Sequence, residues 1–467
     1  MNRYRKLFSN TAILGVGTFA SKLLVFVLMP FYTAWLSTED FGAAELITSV
    51  ANFLIPLACV GLSTGIFRFA AERESDREAV FSSSMALLGI SLGAFLVLSP
   101  VLFLIPYFRT YVWLIVLYVL LADIQAVCAQ YLRAIDRTVL FAGQGILNTL
   151  LTVLCNVLFL FVLDMGVEGY VLSVVIGNAL TVAFIVWRAR LWRACNPSKV
   201  QKRLMGDLLR FSLPLIPTTI CWLITDLSDR SMVTAICGER ANGIYSAAYK
   251  IPTVVTLVSG IFLQAWQFSA VAENADEGEC RSFYSGVFGG YLSLVMIGSA
   301  GLILLSPVLT SILLNEAYAE AWRYMPTLLC AAALEAIVSF LASVYLVRKK
   351  SMHSFWTALL GAVANVLLNL LLIPKLGPLG AAVATLASYA LVMIVRLIDA
   401  HRIIRFRLSL WRLILGSLLI LGLATVMTVP DLNGRLWWAL ALTALTVALH
   451  APSLIFGVKR LLTARRK

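Results

Sequence analysis

Residues 187–210 read WRARLWRACNPSKVQKRLMGDLLR, the longest and most basic break in an otherwise apolar chain. Seven Lys and Arg side chains lie between Arg188 and Arg210. On both sides stand apolar runs near or above the roughly 20 residues that cross a ~30 Å hydrocarbon core as a helix. Fourteen are read, at 9–35, 41–67, 79–106, 111–132, 139–163, 167–187, 209–236, 243–271, 282–312, 322–347, 354–374, 378–398, 409–429 and 435–456. The runs are continuous and do not alternate as barrel strands do, so they predict helices. The first, from Thr11 to Trp35, is too long for a signal-peptide core and ends without a small-residue cleavage site, so it predicts a span.

Composition points the same way. The 467 residues are 60% apolar and 13% charged, with a mean hydropathy of +0.90. A soluble domain is roughly 45–50% apolar and about 25% charged. A chain this apolar could not cover its surface in water, which excludes a soluble enzyme. The net charge of +13 lies in the loops. Alternate loops, starting with the N-terminus, carry 29 of the 37 Lys and Arg, against 5 in the other loops (Arg109, Arg240, Arg323, Lys375, Arg435). That bias places both termini in the cytoplasm. It also assigns the basic balance to an anionic membrane face, not to nucleic acid.

The chain carries marks of a duplication about the basic break. Thr33-Ala34 matches Thr234-Ala235 and Ala71-Glu72 matches Ala272-Glu273, both at an offset of 201. Gly166-x-x-Gly169 aligns with Gly377-x-x-Gly380 at 211, and Asp123 with Glu335 at 212. The organisation expected is a six-helix bundle over 1–188, a basic cytoplasmic linker over 189–208, a second bundle over 209–400, and two further helices with a basic tail over 401–467. An even-numbered repeat keeps its orientation, so the two bundles are related by an axis along the membrane normal.

Nothing supports catalysis. No P-loop, GxSxG or HExxH stands in the sequence. The eight cysteines have no paired spacing and read as small buried hydrophobes. His353, His401 and His450 are isolated, so no metal site is expected, and no cofactor. The outer loops are too short to hold a sugar-transfer site. The reading is of a protein that is not an enzyme.

The informative residues are charges inside spans, each costing roughly 2.5–3.5 kcal/mol on insertion scales. Lys22 is near the middle of the first span with no acid in reach on its own helix. Arg230 follows Asp226 by one helical turn, so a structural ion pair competes with a functional role. Asp229 and Lys250 stand eight residues either side of the loop 237–242, about 12 Å below the surface, where they are matched in depth. Asp123 and Glu335 are near mid-depth in the fourth and tenth spans, where ion coupling and helix packing are both open readings, and Asp229 is the alternative candidate for ion coupling. Tyr249, Gln264 and Gln267 complete the candidate cavity set with Lys22, Lys250, Arg230 and Asp229. Trp266, between the two glutamines, reads first as an interface anchor. Pro30, Pro56, Pro214, Pro217 and Pro252 interrupt spans, as static kinks or as hinges.

The run SLPLIPTTICWLITDLSDRSMVTAI, followed by GERANGIYSAAYKIPTVVTLVSGIFLQAWQF, resembles the Wzx-type polysaccharide flippases of the multidrug/oligosaccharidyl-lipid/polysaccharide exporter superfamily. LSTEDFGAAE between the first two spans and NVLLNLLLIPKLGPLGAAVAT over Asn365–Thr385 carry the same likeness. The resemblance implies an all-α polytopic membrane protein of about fourteen helices, with two pseudo-symmetric six-helix bundles around a central cavity plus two C-terminal helices. It implies a location in the cell inner (plasma) membrane. The implied substrate is an undecaprenyl-diphosphate-linked oligosaccharide, such as an O-antigen, capsule or exopolysaccharide repeat of the lipopolysaccharide kind. That lipid would be moved from the cytoplasmic to the outer leaflet, with a proton or sodium ion as the coupling ion. A polymerase and glycosyltransferases of the same pathway are the implied partners. The peptidoglycan-precursor flippase relative carries several cavity arginines where this chain offers Lys22 and Lys250. The multidrug-exporting branch carries an acid in its first span where this chain has Lys22. A non-transporting scaffold of polysaccharide assembly is the reading from another class.

The charge bias makes the topology testable. Reporter fusions after Lys199 should report the cytoplasm and fusions after Arg435 the opposite side. Both reporting one side would refute the arrangement.

Overall fold

The computed structural model describes residues 28–70, 76–213, 216–272, 277–347, 350–403, 409–429 and 433–464. Among these, every regular element is helical. Eleven helices are long and apolar enough to cross a membrane, or thirteen if each of two bent pairs forms one span. The first predicted span lies outside the described residues except for its end, α1 (Met29–Trp35). The chain divides into two compact units, Met1–Leu227 and Ser228–Lys467.

In the first unit α1 is followed by α2 (Thr38–Ala58), α3 (Leu62–Ala70), α4 (Arg77–Leu98), α5 (Val112–Ala134), α6 (Thr138–Asn156), α7 (Gly166–Ala189) and α8 (Lys202–Ser212). The Ser37 hydroxyl accepts from the Asp40 amide at 3.0 Å, and Glu39 and Asp40 occupy the first turn, so α2 starts with a cap and charges that suit its dipole. The second predicted span is broken. α2 ends two residues after Pro56, which removes a helix hydrogen bond. Val60 and Gly61 then take φ of +52° and +67° before α3 resumes. A Cβ on Gly65 would stand 2.5 Å from the Ser212 hydroxyl, so α3 and α8 pack with almost no space between them.

The basic segment expected as a linker is folded onto this unit. The Ser82 hydroxyl donates to the Ala194 carbonyl (3.1 Å) and accepts from the Asn196 amide (2.8 Å), and Ser83 accepts from the Gln201 amide (3.0 Å). Lys199 bridges Asp76 (3.3 Å) and Glu78 (2.7 Å). The Ala79 amide and the Lys199 ammonium hold the exposed Asp76 carboxyl below its ordinary range, so the clasp persists until pH falls through that lowered value.

The chain passes between the units within α9 (Ile216–Cys237). The second unit continues through α10 (Glu239–Lys250), α11 (Thr253–Ala272), α12 (Glu277–Leu313), α13 (Met325–Val347), α14 (Ser351–Leu376), α15 (Pro378–Ile403), α16 (Leu410–Thr428) and α17 (Arg435–Ala464). Its centre is α13, whose apolar window is 83% buried against 17% for α17. Trp266 is part of that core and does not anchor an interface. Its ring is 4% exposed, stacks on Phe340 at 5.4 Å and meets Tyr284 edge-on at 4.8 Å. Its indole N–H donates to Ser343 (3.0 Å), so the one polar atom that would have sought headgroup water is satisfied inside.

The aligned glycine pairs do the same work in each unit. Gly166, the first residue of α7, and Gly377, the residue before α15, take φ of +52° and +60°. Gly169 and Gly380 then sit against the preceding helix. A Cβ on Gly169 would lie 3.1 Å from Phe159 Cβ, and one on Gly380 would strike the Leu372 carbonyl and stand 2.8 Å from the Ile373 nitrogen. The obstacle at Gly380 is backbone and cannot rotate aside. Gly380→Ala should therefore lower stability by about 1–3 kcal/mol, read as a fall in the melting temperature of the purified protein. An unchanged melt would show that the two helices separate without cost.

Candidate functional site

A carboxylate stripped of water costs several kcal/mol unless protein groups replace the lost hydrogen bonds. Asp229, on α9 and 2% exposed, has four such groups. Thr385 Oγ1 (2.6 Å) and the Tyr245 hydroxyl (2.9 Å) donate to Oδ2. The amides of Asn369 (2.7 Å) and Asn365 (3.1 Å) donate to Oδ1. Asn365 Oδ1 in turn accepts from Ser228 (2.8 Å) and Asn369 (3.1 Å), and the Asn365 amide also reaches Thr385 Oγ1 (3.2 Å). Asn369 Oδ1 is buried with no donor among the described residues.

Sequence spacing explains how the cluster assembles. Asn365 and Asn369 are one turn apart, so they share a face of α14. Asn369 precedes Gly377 by eight residues and Thr385 follows it by eight, so the tight Gly377 turn brings them to one depth. The α9–α10 hairpin works alike, but more tightly than expected. Its turn is the single residue Gly238, with φ of +91°, in place of a six-residue loop. The position opposite Asp229 therefore moves toward the start of α10, and Tyr245 is the residue that meets it.

Lys250 is the half-buried last residue of α10, where a 41° bend separates α10 from α11. Pro252 removes the helix donor there, and the Thr253 hydroxyl turns back to the Lys250 carbonyl. Arg230 is 8% exposed, and its guanidinium lies 5.9 Å from the centre of the half-buried Tyr249 ring. The Tyr249 ring is 6.2 Å from that of Tyr245. The hairpin thus gathers Asp229, Arg230 and Tyr249, and places Lys250 at its broken end. Lys22 lies outside the described residues, and so do the side chains of Gln264 and Gln267.

The aligned pair Asp123 and Glu335 have different surroundings. Asp123 is fully buried on α5 beside the Cys59 thiol, and neither carboxyl oxygen accepts a hydrogen bond among the described residues. Glu335 is half-buried on α13. Among the described residues only the Cys59 thiol stands beside the Asp123 carboxyl, whereas four donors face Asp229. A further acid was not singled out in the sequence. Glu45 on α2 is 2% exposed and accepts from the Tyr170 hydroxyl (2.9 Å). Tyr32, edge-on to Tyr170, accepts from Asn156 (2.8 Å). Glu45 was masked by its place near the end of a span, where an acid passes as a loop residue. The missed amides had a signal: Asn365 and Asn369 one turn apart in an apolar run are costly in lipid unless they serve a partner.

Residues 7–268 match the family described as "Polysaccharide biosynthesis protein". The chain belongs to that family. None of the curated proteins compared with it matches. Among solved structures it is similar to the lipid II flippase MurJ in an inward closed conformation, at 14% identity and a TM-score of 0.71, over 97% of this chain and 100% of that one. It is also similar to a multidrug resistance MATE family transporter of the MOP superfamily, in an inward-facing conformation (15%, 0.68, 83% and 98%). A third is a MOP superfamily transporter from Pyrococcus furiosus, described as having a binding pocket of reverse polarity (16%, 0.60, 84% and 95%). At such identities these likenesses establish the fold, that of the MOP superfamily.

The donor cluster predicts how substitutions at Asp229 rank. Asp229→Leu leaves four donors facing an apolar side chain and should cost roughly 2–4 kcal/mol, while Asp229→Asn keeps the shape and costs less. Thermal melts of the purified variants should rank wild type, Asn, Leu. A Leu variant as stable as the wild type would show that the cluster does not hold the fold.

Proposed function

We propose that this chain is a Wzx-type flippase of the plasma membrane, moving a polyprenyl-diphosphate-linked oligosaccharide from the cytoplasmic to the outer leaflet. The observation that carries this reading is the family match to polysaccharide biosynthesis proteins in a chain with the fold of MOP transporters. A diphosphate crossing hydrocarbon needs a polar, cationic path, while its polyprenyl tail stays in lipid. Lys22 and Lys250 are the cations proposed for that path. A lysine holds phosphate as a point charge and lets it go more readily than a bidentate arginine does. Both termini are proposed to be cytoplasmic, with two six-helix bundles and the last two helices appended, and the enzymes that build and polymerise the saccharide as pathway partners.

The driving ion is proposed to act at Asp229, with Asp123 and Glu335 as packing groups. The Asp229 cluster is built of hard oxygens and amides, and rotation of either asparagine amide would turn a donor into an oxygen ligand. Such a set suits a proton or a sodium ion. Either would replace hydrogen bonds that hold α9, α10, α14 and α15 together, and the bend beside Lys250 is on the same hairpin.

The test is flipping in vesicles of a fluorescent polyprenyl-diphosphate saccharide, scored by access of an external quencher, under an imposed proton or sodium gradient. Wild type should flip the lipid, Lys250→Ala should do so at least tenfold more slowly, and Asp229→Asn should lose its response to the gradient. Gradient dependence retained by a folded Asp229→Asn variant would refute coupling at Asp229. No flipping by wild type under either gradient would refute the function.

A further inference from the structure

Three spans of the first unit, α2, α5 and α6, carry neutral polar side chains within their apolar stretches. Tyr118 and Gln125 are seven residues apart on α5, two turns along one face. The Tyr118 hydroxyl donates to Asn52 Oδ1 on α2 (3.4 Å), and the Gln125 amide donates to Gln144 Oε1 on α6 (3.1 Å). One turn after Gln144, Asn148 donates to Asn178 Oδ1 (3.1 Å) and accepts from the Thr181 hydroxyl (3.2 Å), both on α7. Asn148 is thus engaged at both ends of its amide. The other pairs are engaged at one end only. Asn52 Nδ2, Gln125 Oε1 and Gln144 Nε2 have no hydrogen-bond partner among the described residues. They are also reachable: Asn52 is exposed, Gln125 is half-buried, and neither glutamine atom is closed off from the surface. Flipping both glutamine amides would exchange their roles and still leave one donor and one acceptor spare.

An amide group that meets hydrocarbon has nothing to bond, so spare donors and acceptors on a span face water or a ligand. The charges nearby say which ligand. No Lys or Arg stands on α2 or α6, and α5 has only Arg133, eight residues beyond Gln125. Glu45, two turns before Asn52, is 2% exposed and accepts from Tyr170, and Asp123 is fully buried. An uncharged row of this kind offers little to a phosphate or a metal ion. It suits a neutral group that donates and accepts at once, which is a hydroxyl. The half-buried Tyr118 ring beside the amides adds an apolar face with a polar tip, as the C–H face of a sugar ring requires.

We propose that Asn52, Tyr118, Gln125 and Gln144 bind the saccharide of the transported lipid through its hydroxyl groups. This rests on the flippase reading above and divides the substrate by its chemistry: lysines take the diphosphate, neutral amides the sugar. Because each amide is already fixed at one end to a neighbouring helix, its free end is held in place before the sugar arrives, which lowers the ordering cost of binding.

The test compares three probes on the purified full chain by native mass spectrometry: undecaprenyl diphosphate alone, and the same lipid carrying N-acetylglucosamine or galactose. Wild type should bind at least one glycosylated lipid tenfold or more tightly than the bare one. Gln125→Leu should bring that ratio to within threefold of unity. Asn52→Ala should lower it at least threefold, and serves if the Gln125 variant fails to fold, since an exposed side chain is being removed. A packing role for these amides would lower the melting temperature and leave the ratio where it was. A wild-type ratio in the folded variants would therefore overturn the proposal. Equal binding of all three lipids by wild type would overturn it alone, whereas binding of none of them would overturn the flippase reading with it.

Discussion

Inside a membrane a charged group has no water to fall back on, and the second unit is organised around one that has been given a full substitute. Asp229 collects its four donors from α10, α14 and α15, three helices besides its own. Each charge-assisted hydrogen bond is worth roughly 1.5–3 kcal/mol, so the carboxylate ties those helices together at one depth. Neither of the two tight turns can lengthen without moving a donor out of range. Gly238 sets the position of Tyr245, and Gly377 sets the position of Thr385. The close approach at Gly380 follows from the same requirement, since α15 must lie against α14 for a threonine hydroxyl and two amides to reach one carboxylate.

The first unit solves a similar problem with other residues. Glu45 on α2 is, with Asp123 on α5, a buried carboxyl of this unit, and it accepts from the Tyr170 hydroxyl on α7, the helix that opens at Gly166. Asn156, near the end of α6, reaches the Tyr32 hydroxyl beside it. The glycines that shape the turn keep their spacing in both units, while the acid moves from one helix to the next. That is expected where a turn has only one workable backbone. A buried charge can be supplied from any helix whose neighbours bring enough donors.

The same contrast explains what could be read in the sequence. The helices were legible because length and apolarity are local properties, and the expected spans after the first, which lies outside the described residues but for its end, correspond to described helices with breaks at 59–61 and 251–252. The glycine pairs were legible because positive φ and backbone contact both exclude other residues. Arg230 and Asp229 were singled out because a charge in a span is conspicuous. The donors were not found. Thr385, Asn365 and Tyr245 are ordinary membrane-helix residues until the tertiary fold shows what they face. Depth arithmetic paired Asp229 with Lys250 because it assumed a six-residue loop. A one-residue turn changed the register, and no periodicity reports turn length in a helical hairpin.

Energetic scale decides whether such a cluster suits a switch as well as a brace. Moving a two-state helix arrangement from 1:99 to 99:1 takes about 5.5 kcal/mol of differential stabilisation. Two to three charge-assisted bonds at ~1.5–3 kcal/mol each reach that figure, so neutralising Asp229 by a proton, or drawing its partners onto a cation, is large enough to repopulate the states. Asp123 offers a smaller lever, because among the described residues only the Cys59 thiol stands beside its carboxyl. The mechanical consequence is also local. Tyr245 is five residues before Lys250 on α10, and α10 ends in the 41° bend at Pro252. The hydrogen bond of Tyr245 to Asp229 and the break that carries Lys250 therefore lie on one helix. The proposed ion site and the proposed phosphate contact thus stand on a single helix, with no longer chain of contacts between them.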